Sequence, residues 1–138
     1  ARHYLGFARP DIQVLPGGGA TWGEEMASLV SGDLIFAIGF RRRPKILARI
    51  LRLAQTMSIG TILLTDMSAI VSARYADVVL RCHSKCPAPF QSFTAAITVL
   101  NYLAWALIEA QGPAGIERLR HIHDLTTSLD DISQPHDR

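Results

Sequence analysis

The sequence predicts an α/β fold, a three-layer α-β-α sandwich built around a parallel sheet. Short apolar runs alternate with longer segments in which apolar residues recur at helical spacing. The run over residues 34–38 contains no polar residue, which is typical of a parallel strand covered on both faces. Each run is followed by polar or glycine-rich sequence, so we expect loops where open α/β sheets bind ligands.

The first half of the chain supplies two strands and three helices. Residues 1–8 read as the end of a helix that we expect to begin upstream, 11–15 as a strand and 16–19 as a glycine-rich loop. Thr21 and Glu24 form a capping box that begins a short helix ending near Val30. Residues 34–38 form the next strand. Residues 44–58 form a helix, because Pro44 suits a first turn and the following apolar residues share one face.

The second half repeats the alternation. We expect strands over residues 60–66 and 76–81, with a short helix over 68–74 between them. Two prolines keep 82–89 from being helical throughout. A long apolar helix over 90–110 ends at Gly112 and Pro113, and a last helix covers 114–128. We predict one domain over residues 1–132 and a loose tail over 133–138.

Composition excludes several classes of protein. The 138 residues are 49% hydrophobic and 19% charged, which is typical of a globular domain. A net charge of +2 provides no whole-surface attraction to nucleic acid. The most apolar segment, 95–108, is too short to cross a bilayer, and no signal peptide opens the chain. We expect a cytoplasmic protein with no cofactor.

Three adjacent arginines follow the strand over residues 34–38. Arg41, Arg42 and Arg43 lie between that strand and a helix start, where backbone N–H groups and the helix dipole favour an anion. Guanidinium groups bind phosphate and carboxylate bidentately, so one hypothesis is an anion clamp. The alternative is a solvated basic turn, or arginines paired with carboxylates such as Asp66, with at least one of the three structural.

Hydroxyl groups follow two other predicted elements. Thr65 and Ser68 lie at the end of the third predicted strand, and Ser92 lies at the start of the long helix. Each hydroxyl is a candidate ligand contact, and Ser68 and Ser92 are equally candidates for helix caps. Asn101 lies among apolar residues of the long helix, where it either registers a helix–helix contact or faces the ligand.

A metal site is not favoured by the cysteine and histidine pattern. Cys82, His83 and Cys86 have permitted spacing for zinc, but a fourth ligand is lacking nearby. His121 and His123 are two residues apart on a predicted helix and therefore face different directions.

Two blocks of sequence, residues 33–43 and 65–80, resemble the sugar isomerase (SIS) domain, and more narrowly the C-terminal domain of RpiR-type bacterial transcriptional regulators. Residues 88–92, which open the long helix, add to the likeness. The resemblance implies a five-stranded parallel sheet of flavodoxin-type winding, a phosphosugar effector and dimerisation through helices. It also implies a helix-turn-helix domain and a first strand upstream of Ala1, so we expect that strand to be missing from this chain.

The chain departs from the family at its phosphate loop. Most SIS domains have Ser-x-Ser-Gly-x-Thr after the strand, whereas residues 39–44 here contain no hydroxyl. We therefore expect a non-enzymatic effector domain that binds a sugar phosphate or a sugar acid at the strand ends. It would form a homodimer or higher homo-oligomer through the helices around 90–128 and contact DNA only through the absent domain. The alternatives are a dimerisation module with no ligand and a sugar-phosphate isomerase. The predicted ligand-binding residues are Gly39, Arg41, Arg42, Arg43, Thr65, Ser68, Ser92 and Asn101.

Overall fold

A computed structural model describes residues 1–87 and 89–129, and the tail predicted over 133–138 lies outside them. The described chain divides into a sheet unit, within residues 14–98, and a helical unit formed by residues 1–13 together with 99–129. In chain order the elements are α1 (Arg2–Ala8), α2 (Trp22–Ala27), β1 (Leu34–Gly39), α3 (Lys45–Thr56), β2 (Gly60–Asp66), a 3-10 turn (Ser72–Tyr75), β3 (Val78–Cys82), α4 (Thr94–Ala110) and α5 (Pro113–Ser128).

The sheet unit is built on three parallel strands in the order β1-β2-β3. Leu34 pairs with Gly60 and Ile62 pairs with Val78, so the carboxyl ends of the strands meet at one edge. The predicted α/β fold with a parallel sheet and flanking helices is therefore confirmed.

One face of the sheet is covered by α3. Leu51 and Leu63 are fully buried and pack with Ala37, while Ile50 and Ala54 pack in a second cluster with Met26. These α3 residues recur at intervals of three and four, which places them on one side of the helix. Burial of this stripe fixes α3 against the sheet, with its first turn next to the end of β1.

The strand predicted over residues 11–15 is wrong. The segment has no strand partner in the described structure, because the sheet there consists of β1, β2 and β3 alone. Pro10 and Pro16 flank it and have no N–H to donate, and Val14 is 56% exposed. Without a neighbouring strand, the backbone groups of this segment are left to water, so its local sequence was not sufficient for a strand.

Two predicted helices begin later than expected. Instead of a helix over 68–74, the chain forms only the 3-10 turn Ser72–Tyr75, since the N–H and hydroxyl of Ser68 are held by the Asp66 carboxylate. Such a side-chain-to-backbone bond competes with helix formation. The long helix begins at Thr94 rather than 90, and the N–H of Ser92 bonds the carbonyl of Ser84 outside any helix.

In the helical unit, α5 packs beside α1. The side chains of Gln111 and Arg118 donate to the carbonyls of Ala8 and Gly6, at 3.0 and 2.8 Å. They thus satisfy acceptors at the end of α1 that have no partner within that helix. No helix within residues 1–87 and 89–129 is long and apolar enough to cross a membrane.

Candidate functional site

The candidate site is the edge of the sheet where β1, β2 and β3 end. Gly39 pairs with Thr65, and Asp66 pairs with Cys82, so the residues that follow these positions emerge side by side. This is the edge at which open α/β sheets bind their ligands.

Arg43 lies at the centre of this edge and reaches across to β2. One guanidinium nitrogen, Nη1, lies 3.1 Å from Asp66 Oδ2 and 3.4 Å from Thr65 Oγ1, and Nη2 donates to Ser68 Oγ at 3.0 Å. The Arg43 and Asp66 side chains are only 17% and 7% exposed. Among residues 1–87 and 89–129, Arg43 is therefore the one of the three adjacent arginines that pairs with a carboxylate, Asp66. We expected at least one of the three to be structural.

Asp66 is held ionised by its neighbours. Burial alone would raise the pKa of its carboxyl, but hydrogen bonds from the Ser68 hydroxyl and N–H, and from Arg43, lower it below its ordinary value. Hydrogen bonds to the charged form always act in this direction. The hydroxyl of Thr65 is buried and donates to the Gly39 carbonyl, which ties β1 to β2 at the same edge.

Glycine at position 39 leaves room for side chains of α3 and of the loop before it. A Cβ at this position would overlap the Leu47 side chain and would lie 3.3 Å from Cγ of Arg43. Arg42 has a φ of +67°, in the left-handed region that residues other than glycine rarely adopt. The chain thus turns sharply between the exposed Arg42 and the inward-facing Arg43.

Arg41 and Arg42 remain exposed at the start of α3. Pro44 precedes the helix, and no side chain caps the N–H groups of its first turn. Two exposed guanidinium groups, the N–H groups of the first turn and the helix dipole make this corner positive, which suits an anion.

The other predicted ligand residues are placed differently. Ser92 accepts a hydrogen bond from the Thr94 N–H at 3.4 Å and its hydroxyl lies 3.0 Å from Thr94 Oγ1, so it forms a local turn just before α4. Asn101 belongs to the helical unit, where it is an exposed residue of α4. Gly39, Thr65, Ser68 and the arginines are brought together at the strand ends.

Arg81 also lies at this edge, and the sequence did not lead us to predict it. Its Nη1 donates to the carbonyl of Ala69 at 3.0 Å and lies 3.5 Å from that of Asp66. It holds the loop after β2 in place. A charged residue at the end of an apolar strand was the signal that could have identified it.

Metal-ligating side chains are scattered rather than clustered. Cys82 is buried, and the thiol of Cys86 donates to the carbonyl of Phe90 at 3.0 Å. Among residues 1–87 and 89–129, no three His, Cys, Asp or Glu side chains are grouped so that they could hold a metal ion.

Comparison with solved structures supports the interpretation of the fold. The RpiR transcription factor from Sphaerobacter thermophilus (sugar isomerase domain) superposes with a TM-score of 0.78 at 26% identity, over 89% of this chain and 69% of that chain. The Vibrio vulnificus NanR protein complexed with ManNAc-6P superposes with a TM-score of 0.61 at 17% identity, over 77% of this chain and 41% of that chain. No curated protein sequence matches.

The family model described as the SIS domain matches residues 11–110, which is most of the chain. This match includes all three strands and the arginine-rich loop. The resemblance inferred from the sequence is therefore confirmed, and the chain belongs to the SIS domain family.

Proposed function

We propose that this chain is the effector-binding and dimerisation domain of a bacterial RpiR-type transcriptional regulator. The observation that carries the proposal is the pair of exposed guanidinium groups, Arg41 and Arg42, at the carboxyl edge of the sheet. Neither forms an ion pair with a carboxylate among residues 1–87 and 89–129. Two adjacent like charges repel each other, so a bound anion would stabilise this corner.

The proposed effector is a sugar phosphate or a sugar acid. Either would present a phosphate or carboxylate to Arg41 and Arg42 and to the first turn of α3. The fold is compatible with such a ligand, since NanR, which shares it, is described in complex with ManNAc-6P. The serine-rich loop common in SIS domains is replaced here by arginines, so charge rather than hydroxyl hydrogen bonding would provide the affinity.

The proposed output is a change in the arrangement of a dimer. Tyr102 and Trp105 lie one turn apart on α4 and are 70% and 49% exposed, which is unusual for large aromatic side chains and typical of an interface. An effector shifts the dimer only if it binds its two arrangements with different affinity. DNA would be contacted by a helix-turn-helix domain outside this chain.

We favour a non-enzymatic role at this site. Aldose–ketose isomerisation needs a general base close to the sugar carbons. Asp66 is the carboxylate at the strand ends, and its lowered pKa and its bonds to Arg43 and Ser68 make it a weak base near neutral pH. The similar Sphaerobacter thermophilus protein is a transcription factor, which agrees with this choice, although SIS domains also occur in isomerases.

One observation favours a second candidate, a dimerisation module with no ligand. Arg43 folds back onto Asp66 and Ser68 and so occupies part of the strand edge with protein groups. In that case the two exposed arginines would be a solvated turn. The two candidates differ in whether anions stabilise the protein.

A thermal-shift screen with sugar phosphates, sugar acids and inorganic phosphate separates them. A ligand that binds the folded state raises Tm, and the increase should be abolished in the Arg41→Ala/Arg42→Ala variant. The matched control is Arg49→Ala/Arg52→Ala, which removes two exposed arginines from the helix that follows the loop and should respond like the wild type. If no ligand raises Tm, or if both variants lose the increase in Tm equally, an effector site at this corner is contradicted.

A further inference from the structure

Positive charge is concentrated in one part of the sheet unit. Residues 41–76 contain seven Lys and Arg residues and one acidic residue, a net charge of +6, whereas the whole chain has +2. The one acidic residue is Asp66, which is already paired with Arg43. Residues 41–76 are therefore strongly positive, although the whole chain is close to neutral.

The outer face of α3 carries a stripe of this charge. Lys45, Arg49 and Arg52 are exposed and are spaced by four and then three residues, so they lie one above another on the helix. Arg49 and Arg52 also line a groove of about 570 Å³. This groove lies along the flank of α3 and does not include the residues of the strand ends.

The lining of the groove is apolar between the two guanidinium groups and the segment that follows β2. Leu53, Val71 and Tyr75 contribute to it, and Leu53 and Val71 are 45% and 61% exposed. Ile70, which precedes Val71, is 67% exposed. Apolar side chains exposed together beside a row of arginines form an amphipathic surface, which is a common sign of a docking site for another protein.

We propose that this groove binds an acidic amphipathic helix of a partner protein. Leucine-type side chains of such a helix would cover Leu53 and Val71, and carboxylates on its flank would pair with Arg49 and Arg52, which are three residues apart and thus on adjacent turns. The charge complementarity comes from Arg49 and Arg52 in the groove lining and from Lys45 on the same face of α3. The proposal is independent of whether an effector binds at Arg41 and Arg42.

A nucleic acid is the rival partner for a basic surface, and the apolar part of the groove argues against it. Phosphate contacts are made by positive and polar groups and do not require exposed aliphatic side chains. Binding of duplex DNA along α3 would leave Val71 and Ile70, the most exposed of these side chains, uncovered. An acidic amphipathic helix would both pair with the arginines and cover the exposed apolar side chains.

The test uses a fluorescein-labelled peptide of about 16 residues with leucines at helical spacing and glutamates beside them, since shorter helices are marginal. Anisotropy is measured with the intact chain. We expect binding in the micromolar range, and weakening by about tenfold or more in Arg49→Glu/Arg52→Glu and in Leu53→Ser/Val71→Ser. A peptide of the same composition with its leucines scrambled should bind at least about tenfold more weakly.

Control variants change the same residue types elsewhere. Arg2→Glu/Arg120→Glu reverses two exposed charges of the helical unit, and Leu125→Ser removes a 48% exposed leucine of α5. Both should bind the peptide like the wild type, and circular dichroism checks that every variant is folded. The proposal is overturned by absent binding, by equal binding of the scrambled peptide, by equal weakening in the controls, or by tighter binding of a labelled DNA duplex.

Discussion

The guanidinium of Arg43 and the carboxylate of Asp66 are 23 positions apart in sequence, yet they lie 3.1 Å apart at the edge of the sheet. Their pair joins the loop after β1 to the end of β2, and Ser68 bonds to both partners. Within residues 41–43, Arg43 therefore has a structural partner, whereas Arg41 and Arg42 are exposed and are the residues that we propose to bind an anion.

Removal of Asp66 should destabilise the domain strongly. In Asp66→Ala, the Arg43 side chain, only 17% exposed, keeps its charge without a carboxylate, and the Ser68 N–H loses its acceptor. We expect a loss of about 2–4 kcal/mol in the free energy of unfolding, measured by urea denaturation. Arg43→Ala should lose less, about 1–2 kcal/mol, because the Asp66 carboxylate keeps its bonds to Ser68.

The double variant Arg43→Ala/Asp66→Ala is the control for this pair. If the two residues act together, the double variant loses less stability than the sum of the single variants, with a coupling of about 1–2 kcal/mol. Additive losses would show that the ion pair contributes little and that Asp66 acts through Ser68 alone.

Neutralising Asp66 should also change anion binding. In Asp66→Asn the positive charge of Arg43 is no longer balanced, and it adds to the field of Arg41 and Arg42 at the same corner. We expect inorganic phosphate to bind several-fold more tightly than to the wild type, measured by isothermal titration calorimetry at low salt. The same change at Asp77, which lies at the opposite end of the strands next to Thr61, should leave phosphate affinity unchanged.

The stability of the domain should fall in acid. The pKa of Asp66 is lowered despite burial, by bonds from Ser68 and Arg43, and that of Asp77 is lowered by bonds from the Thr61 hydroxyl and N–H. A carboxyl whose pKa is lower in the folded state stabilises the fold above its unfolded pKa, near 4, and this contribution disappears as pH falls through the folded pKa.

Urea denaturation at a series of pH values measures this effect. The wild type should be equally stable at pH 6 and 7 and should lose stability progressively below about pH 4. Asp66→Asn and Asp77→Asn should each show a shallower loss between pH 5 and about pH 2, because one titrating group is absent. Identical pH profiles for wild type and both variants would exclude these two carboxyls as the cause.

The sequence was most informative where local pattern and tertiary context agree. The strands over 34–38 and 60–66 were predicted from short apolar runs, which are typical of parallel strands. The segment 11–15 is also rich in apolar residues but has no neighbouring strand, and pairing cannot be read from a local segment. Strand formation depends on a partner that the pattern does not specify.

The site was predictable as a region but not residue by residue. Three arginines directly after a strand indicated an anion-binding region. Because the three side chains are identical, the sequence provided no reason to choose Arg43 as the one that pairs with Asp66. The inward orientation of Arg43 follows a turn in which Arg42 has a left-handed φ, and its aliphatic stem packs beside Gly39. Both are properties of the folded loop. The sequence left Ser92 open between a ligand contact and a cap, and in the structure its hydroxyl forms a local turn with the Thr94 N–H before α4.

Dimerisation through α4 can be tested at its exposed aromatic residues. Trp105→Glu places a charge where we expect an apolar interface, and it should weaken self-association by about 30-fold or more. Size-exclusion chromatography with light scattering over a range of concentrations measures this change. The control is Val30→Glu, which places a charge at a 64% exposed apolar residue of the sheet unit. A monomeric wild type, or equal dissociation of both variants, would contradict this interface.

The two helical glycines of the helical unit should respond in opposite ways to alanine. A Cβ at Gly115 of α5 would overlap the backbone carbonyl oxygen of Ile108, and a backbone atom cannot rotate away as a side chain can. A Cβ at Gly6 of α1 would meet nothing within 4 Å. Alanine is favoured over glycine in a helix by about 1 kcal/mol, so only the overlap at position 115 opposes the gain.

We therefore expect Gly6→Ala to stabilise the protein by about 0.5–1 kcal/mol and Gly115→Ala to destabilise it by about 1–3 kcal/mol. Thermal and urea denaturation of both variants measure the difference. The carbonyl of Gly6 still accepts its bond from Arg118 after the substitution, since that bond uses the backbone. Stabilisation by Gly115→Ala would mean that α4 and α5 are farther apart at Ile108 than the structure shows, and the turn at Gly112 would then need a different geometry.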